Sequence, residues 1–153
     1  ASEKSYQTCR ASLEKLTRAA KKTGAIVSIE PYWRNVIGSA AQAERVLRDA
    51  PGLKLVMDPC NYFRKDDLSR MDPMLEDIFH RVGKQTVLAH AKDVKAAADG
   101  TDLPASGQGV LDYPLYLRLL AGLNRELPLV IEHLTLEDVP RARDYVLSQF
   151  EKI

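Results

Sequence analysis

Four apolar runs in this chain each end on an ionisable residue. "IVSIE" ends on Glu30, "LVMD" on Asp58, "VLAH" on His90 and "LVIE" on Glu132. Carboxylates and imidazoles transfer protons, and both ligate metal ions. Three carboxylates gathered in one place would repel, and burying any of them unpaired is costly. A divalent cation among them removes both problems. Taken singly, each residue has an ordinary structural reading. The stretch "LKLVMDPCNYF", residues 53–63, reads as a buried strand closed by a turn, because Asp, Pro and Asn are common turn residues. Four successive runs ending alike point instead to one metal centre. Three carboxylates and one imidazole make a mostly hard donor set. It favours Mn²⁺ foremost, then Mg²⁺, leaves Co²⁺ and Zn²⁺ open, and disfavours a structural thiolate zinc site.

For these residues to meet, the four runs must lie side by side and point the same way. The intervening sequence supports that. Residues 2–22 read as a helix, with Leu13, Leu16, Ala19 and Ala20 at helical spacing and Gly24 as the stop. "AIVSIEP" is a short β-branched run, read as a buried strand. "SAAQAERVLRDAPG" reads as a helix capped by Ser39, and residues 53–58 as the second strand. Residues 67–83 read as a helix with Met74, Leu75, Ile78 and Val82 as its buried stripe, and residues 86–91 as the third strand. Residues 93–110 read as a long polar loop carrying Gly100, Pro104, Gly107 and Gly109. "YPLYLRLLAGLN" reads as a helix that tolerates Pro114 in its first turn, and "LPLVIEHL" as the fourth strand. The last helix, "TLEDVPRARDYVLSQF", is capped by Thr135, with Asp138 where a capping box wants Glu or Gln. The order α-βα-βα-βα-βα argues for a parallel sheet with right-handed crossovers. In such architectures the strands' C-terminal ends share one face, where active sites sit. No linker interrupts the pattern, so residues 1–153 are expected to form a single α/β domain.

The totals narrow the function classes. At 153 residues, 45% hydrophobic and 28% charged, the chain suits an ordinary globular domain. A formal net charge of +1 supplies no field for nucleic acid or an anionic membrane. No apolar run is long enough to cross a bilayer, and residues 1–20 lack an apolar signal core. Cys9 and Cys60 have no metal-type spacing and form no disulfide framework, which suits reduced thiols in the cytoplasm. Ala1 in place of Met, inside an expected helix, hints at a fragment or at a start left by processing or cloning.

The motifs "SIEP", "LVMDPCN", "LAHAKD", "SGQGVLDY" and "LVIEH" together resemble the sugar isomerase and epimerase superfamily with the xylose isomerase-like TIM barrel. The resemblance covers almost the whole chain and rests on the order and spacing of the motifs. It implies that Glu30, Asp58, His90 and Glu132 ligate one catalytic divalent ion. It implies a metal-dependent isomerase or epimerase acting on a small sugar or polyol. Glu30 and Glu132 would be the paired acid and base, moving a proton through a metal-stabilised enediolate, with Asp58 and His90 mainly structural ligands. The family barrel has eight βα units. This chain has about four, so the resemblance makes it the C-terminal half of a TIM (β/α)8 barrel, starting at the helix before the fifth strand. Half a barrel exposes two sheet edges and an apolar inner face. The missing N-terminal half is expected from a longer protein, with a homo-oligomer or another chain as the other ways to complete it.

Further candidates surround the four. Asn61 is placed to hydrogen-bond a substrate hydroxyl or the metal shell. Relatives often have His there, and its absence argues against a multi-zinc DNA-repair endonuclease. Lys92 is placed to neutralise a developing oxyanion. Trp33 can stack on a sugar and Arg34 can hold an acidic group, with loop packing as the bland alternative. Asp93 is expected to orient His90 or to cap the following loop. His133 should point away from Glu132 along the strand, though it could still reach the pocket rim. His80 should be a surface residue. Two other functions compete: a metal-dependent dehydratase or lyase on inositol or modified sugars, and a non-catalytic metal-binding module.

Overall fold

The first helix, α1 (Glu3–Thr23), begins where the Ser2 hydroxyl accepts a hydrogen bond from the Ser5 N–H, and it stops at Gly24. From there strands and helices alternate: β1 (Ser28–Ile29), α2 (Ala40–Asp49), β2 (Lys54–Met57), α3 (Met71–Val82) and β3 (Thr86–Ala91). A short hairpin follows, β4 (Lys95–Ala97) and β5 (Gly100–Asp102), then α4 (Tyr113–Ala121), β6 (Leu129–Ile131) and α5 (Val139–Phe150). This computed structural model describes residues 2–123 and 126–153. Ala1, and the expected helix end at Asn124, therefore lie outside the described residues.

The main sheet has the order β1-β2-β3-β6, and every pairing is parallel. Its two faces differ. Leu55, Met57, Ala89 and Ala91 are fully buried on the helix-covered face, packed with Val46, Leu75 and Leu117. Lys54, Val56, Leu88, His90 and Val130 alternate with them on the other face, and none of these is buried. That inner face is mixed rather than apolar, because lysine and histidine interrupt it. Among the described residues β1 pairs only with β2, and β6 only with β3, which leaves each outer strand one edge unpaired there. None of the helices described is long and apolar enough to cross a membrane.

Three expectations need correction. The run "AIVSIEP" is paired only over Ser28–Ile29, and "LPLVIEHL" only over Leu129–Ile131. Both are outer strands with a single partner, so fewer residues are held in ladder pairing. The helix expected over 67–83 is a 3₁₀ turn over Lys65–Arg70 followed by α3. There the Asp67 carboxylate accepts the Arg64 N–H at 3.0 Å and tightens the chain into a turn. The loop expected over 93–110 contains the β4–β5 hairpin. Gly100, with φ of 130°, allows its reversal, and its strands are three residues each, too short to display an alternating pattern in the sequence. At Thr135, Asp138 does serve as a capping-box partner: its carboxylate accepts from the Thr135 hydroxyl at 3.0 Å and from the Thr135 N–H at 3.4 Å.

Candidate metal centre

Sheet register brings the strand ends together. Met57 is level with Ala89, which puts Asp58 beside His90. Ala91 is level with Ile131, which puts Glu132 beside Lys92. Glu30 follows directly on β1. Each of Glu30, Asp58, His90 and Glu132 offers one ligand atom, and these four atoms lie within 4.8 Å of one another. His90 Nδ1 sits 3.3 Å from Glu132 Oε2, 3.4 Å from Glu30 Oε1 and 3.8 Å from Asp58 Oδ2. The imidazole nitrogen thus faces all three carboxylates and makes no hydrogen bond among the described residues.

This arrangement fits a divalent cation. The Asp58 side chain is fully buried, yet its Oδ1 receives no hydrogen bond. A buried carboxylate oxygen without a donor is an expensive orphan that a cation would satisfy. The donor set, three carboxylates and one imidazole, is that of a mononuclear site for a hard or borderline ion.

The titrating groups carry the strain of this crowding. Burial raises the Glu30 carboxyl above its ordinary 4.5, and the neighbouring Asp58 carboxylate raises it further. Burial also pushes Asp58 upward, but pairing with His90 and the charge of Lys92 outweigh it and hold Asp58 below its usual range. Contact with Asp58 raises His90 above 6.5 against its own desolvation, with the charges of Glu132 and Glu30 adding to the rise. Two pH effects of opposite sign follow. In the metal-free protein, the raised His90 stabilises the fold below about pH 6.5, and that contribution is lost as pH rises through its folded value. A metal ligand, by contrast, must be deprotonated, so divalent-ion affinity should climb with pH and keep climbing above about 6.5, with proton release on binding. Calorimetric titration of Mn²⁺ in buffers of different ionisation enthalpy across this range reads both the affinity and the protons. Affinity that does not change with pH would contradict ligation by His90.

Two further expected residues join the group. Asn61 Nδ2 donates to Glu30 Oε1 at 2.8 Å. Lys92 is almost wholly buried, and its Nζ lies 2.5 Å from Asp58 Oδ2 and 2.6 Å from Glu132 Oε1. The side chains of Trp33 and Arg34 contact each other, and Arg34 also reaches the hairpin. The Arg34 guanidinium stacks 4.5 Å over the Trp33 ring and donates to the Asp99 carbonyl on the hairpin, while the Trp33 backbone N–H donates to the Asn61 carbonyl. His133 does not point away. It has a φ of 56°, its Nδ1 lies 2.9 Å from the Leu103 carbonyl, and its Nε2 is 3.9 Å from Glu132 Oε1. The left-handed backbone turns the ring back toward its neighbour, where an extended strand would have alternated it away. His80 is exposed on α3.

Asp93 caps the loop and is not seen to touch His90. One carboxylate oxygen accepts the N–H groups of Val94 and Leu111, and the other accepts that of Gly107. Tyr113 and Tyr116 are site-supporting residues that sequence reasoning does not find. Tyr113 donates to the Lys92 carbonyl at 2.9 Å, and Tyr116 to the His90 carbonyl at 2.8 Å. Two helix α4 hydroxyls thus pin the backbone at and just past the end of β3, at His90 and Lys92. Their spacing on the core stripe of a helix looks like ordinary packing, so the sequence held no signal of it. Gly109 sits so close to this cap that an added Cβ would collide with the Val94 carbonyl oxygen and the Asp93 carboxylate. Gly109→Ala should therefore destabilise the protein by about 2–3 kcal/mol, as overpacking against backbone does. Urea denaturation checks this; a change within experimental error would show that the loop yields freely.

Residues 1–148 match the family model described as the xylose isomerase-like TIM barrel. A xylose isomerase domain protein from Planctomyces limnophilus is similar in structure, with TM-score 0.71 and 22% identity over 95% of this chain and 51% of its own. So is a xylose isomerase-like TIM barrel protein from Mycobacterium smegmatis in complex with magnesium, with TM-score 0.70 and 17% identity over 99% and 51%. A 3-keto-D-glucoside 4-epimerase from E. coli gives 0.68 and 20% over 95% and 53%. No curated protein matches the chain. The chain spans about half the length of these structures. A parallel sheet of this order, carrying this group of residues at its strand ends and matching over nearly its full length, belongs to the xylose isomerase-like TIM barrel family.

Proposed function

We propose that this chain supplies the four C-terminal βα units of an eight-unit barrel. The barrel would be a divalent-metal-dependent isomerase or epimerase acting on a small sugar or polyol derivative. The observation that carries this is the convergence of Glu30, Asp58, His90 and Glu132 from four parallel strands to within 4.8 Å. Mn²⁺ is the ion the donor set suits best, with Mg²⁺ next. A bound ion would supply Lewis acidity to two adjacent oxygens of the sugar and lower the cost of negative charge there.

The chain's own residues would then move the proton. One glutamate takes the proton from the carbon next to the carbonyl. The C–H bond breaks, a carboxyl O–H forms, and the electron pair passes to the carbonyl oxygen. The other glutamate, on the opposite face, returns a proton to that carbon and inverts it. Asn61 orients one oxygen of Glu30, and Lys92 one of Glu132. Trp33 and Arg34, on the loop after Glu30, are the residues assigned to substrate contact.

The test is solvent exchange. Metal-loaded full-length protein, incubated in D₂O with a panel of ketohexoses and ketopentoses, should place deuterium at a sugar carbon and lose this ability on chelation. Elimination of water from inositol-type substrates without exchange would favour a dehydratase. Bound metal with no turnover of any kind would favour a binding module.

A further inference from the structure

A lysine two residues after a metal-ligand histidine would usually be taken as a solvated or substrate-facing cation. Here Lys92 is 2% exposed. An ammonium has three donors and no acceptor, and out of water it must find its acceptors inside the protein. Lys92 finds them in Oδ2 of Asp58 at 2.5 Å and Oε1 of Glu132 at 2.6 Å. Both belong to the candidate metal centre. Its backbone is held tightly. The Lys92 carbonyl accepts from the Tyr113 hydroxyl at 2.9 Å and the Cys60 thiol at 3.5 Å. On either side, the Ala91 carbonyl accepts from the Ser106 hydroxyl, and the Asp93 N–H donates to the Pro104 carbonyl. These bonds fix the backbone from which the Lys92 side chain reaches the two carboxylates.

We propose that Lys92 is a positioning residue that engages one oxygen of Asp58 and one of Glu132, so that each carboxylate offers only its second oxygen to a divalent ion. The proposal rests on the metal-centre reading above. Glu132 Oε2 faces His90 Nδ1 at 3.3 Å, and Asp58 Oδ1 is buried without a donor; Asp58 Oδ2, the oxygen paired with Lys92, also lies 3.8 Å from His90 Nδ1. Small octahedral ions such as Mg²⁺ and Mn²⁺ are served by one oxygen per carboxylate. Ca²⁺ takes about six to eight oxygens and often uses both of a carboxylate. Lys92 therefore selects against Ca²⁺. Its charge also balances the group. With a divalent ion present and His90 neutral, three carboxylates, the ion and one lysine sum to zero.

Calorimetric titration of Mn²⁺ and of Ca²⁺ into metal-stripped full-length protein tests this, with wild type beside Lys92→Met. Wild type should prefer Mn²⁺ by about 100-fold or more, and Lys92→Met should lower that ratio by about tenfold or more, mostly through tighter Ca²⁺ binding. A folded Lys92→Met protein with an unchanged ratio overturns the proposal. So does a wild type that binds the two ions within about threefold of each other, a result that stands even if the variant fails to fold. Wild type that binds neither ion overturns the metal centre itself, and with it this role for Lys92.

Discussion

Asp58→Asn should strip the protein of its stoichiometric divalent ion. Asp58 is the most enclosed member of the group, with a side chain that is fully buried. The amide keeps the shape of the carboxylate but brings no charge, and it turns one acceptor into a donor. A neutral ligand in a buried site loses most of its attraction for a divalent cation, so affinity should fall by more than about 100-fold. The substitution also unbalances Lys92, whose Nζ is 2.5 Å from Asp58 Oδ2. With only Glu132 left as counter-charge, the buried ammonium should cost the metal-free fold about 3 kcal/mol, the usual scale for breaking a buried pair from one side. Elemental analysis after dialysis reads the first effect and urea denaturation of metal-free protein the second. One ion retained per variant chain would place the metal elsewhere.

At saturating Mn²⁺, Glu30→Gln and Glu132→Gln should each slow deuterium exchange by about 10²–10⁴-fold, the contribution expected of a positioned acid or base. Glutamine can still place an oxygen near the ion, but it cannot take or give the proton. The two variants should differ in stability. In Glu30→Gln the amide oxygen can keep accepting from Asn61. Glu132→Gln removes the charge from the ion pair that Lys92 makes at 2.6 Å, so this variant should be the less stable by about 1–3 kcal/mol. Metal-loaded variants that exchange at the wild-type rate would remove both glutamates from the chemistry.

The candidate site was legible in the sequence to an unequal degree. Glu30, Asp58, His90 and Glu132 could be picked out because each closes a short apolar run bounded by breakers, the local mark of a buried strand. Asn61 and Lys92 were visible as neighbours of those residues, but not their partners. The Lys92–Glu132 contact spans 40 positions in the chain and depends on which residue of β3 is level with which residue of β6. A slip of one residue would have sent the ammonium to the opposite face. The same limit hid the three hydrogen bonds to Asp93 and the tyrosine clamps on β3. The hairpin was hidden because its strands are only three residues each, too short for alternation to show, and the turn of His133 because only a left-handed φ of 56° brings it toward Glu132.

By itself, then, the sequence determined the alternation of main-sheet strands and helices, the parallel class of the sheet and the identity of the residues at the strand ends. These are local properties, set by hydrophobic period, caps and breakers within a few residues. Only the tertiary structure decided that those ends meet within 4.8 Å, that Asp58 loses all contact with solvent and that Lys92 sets its charge against two carboxylates. Charges interact through space, and the separation between two of them is set by register and packing across strands, which no local stretch of chain encodes.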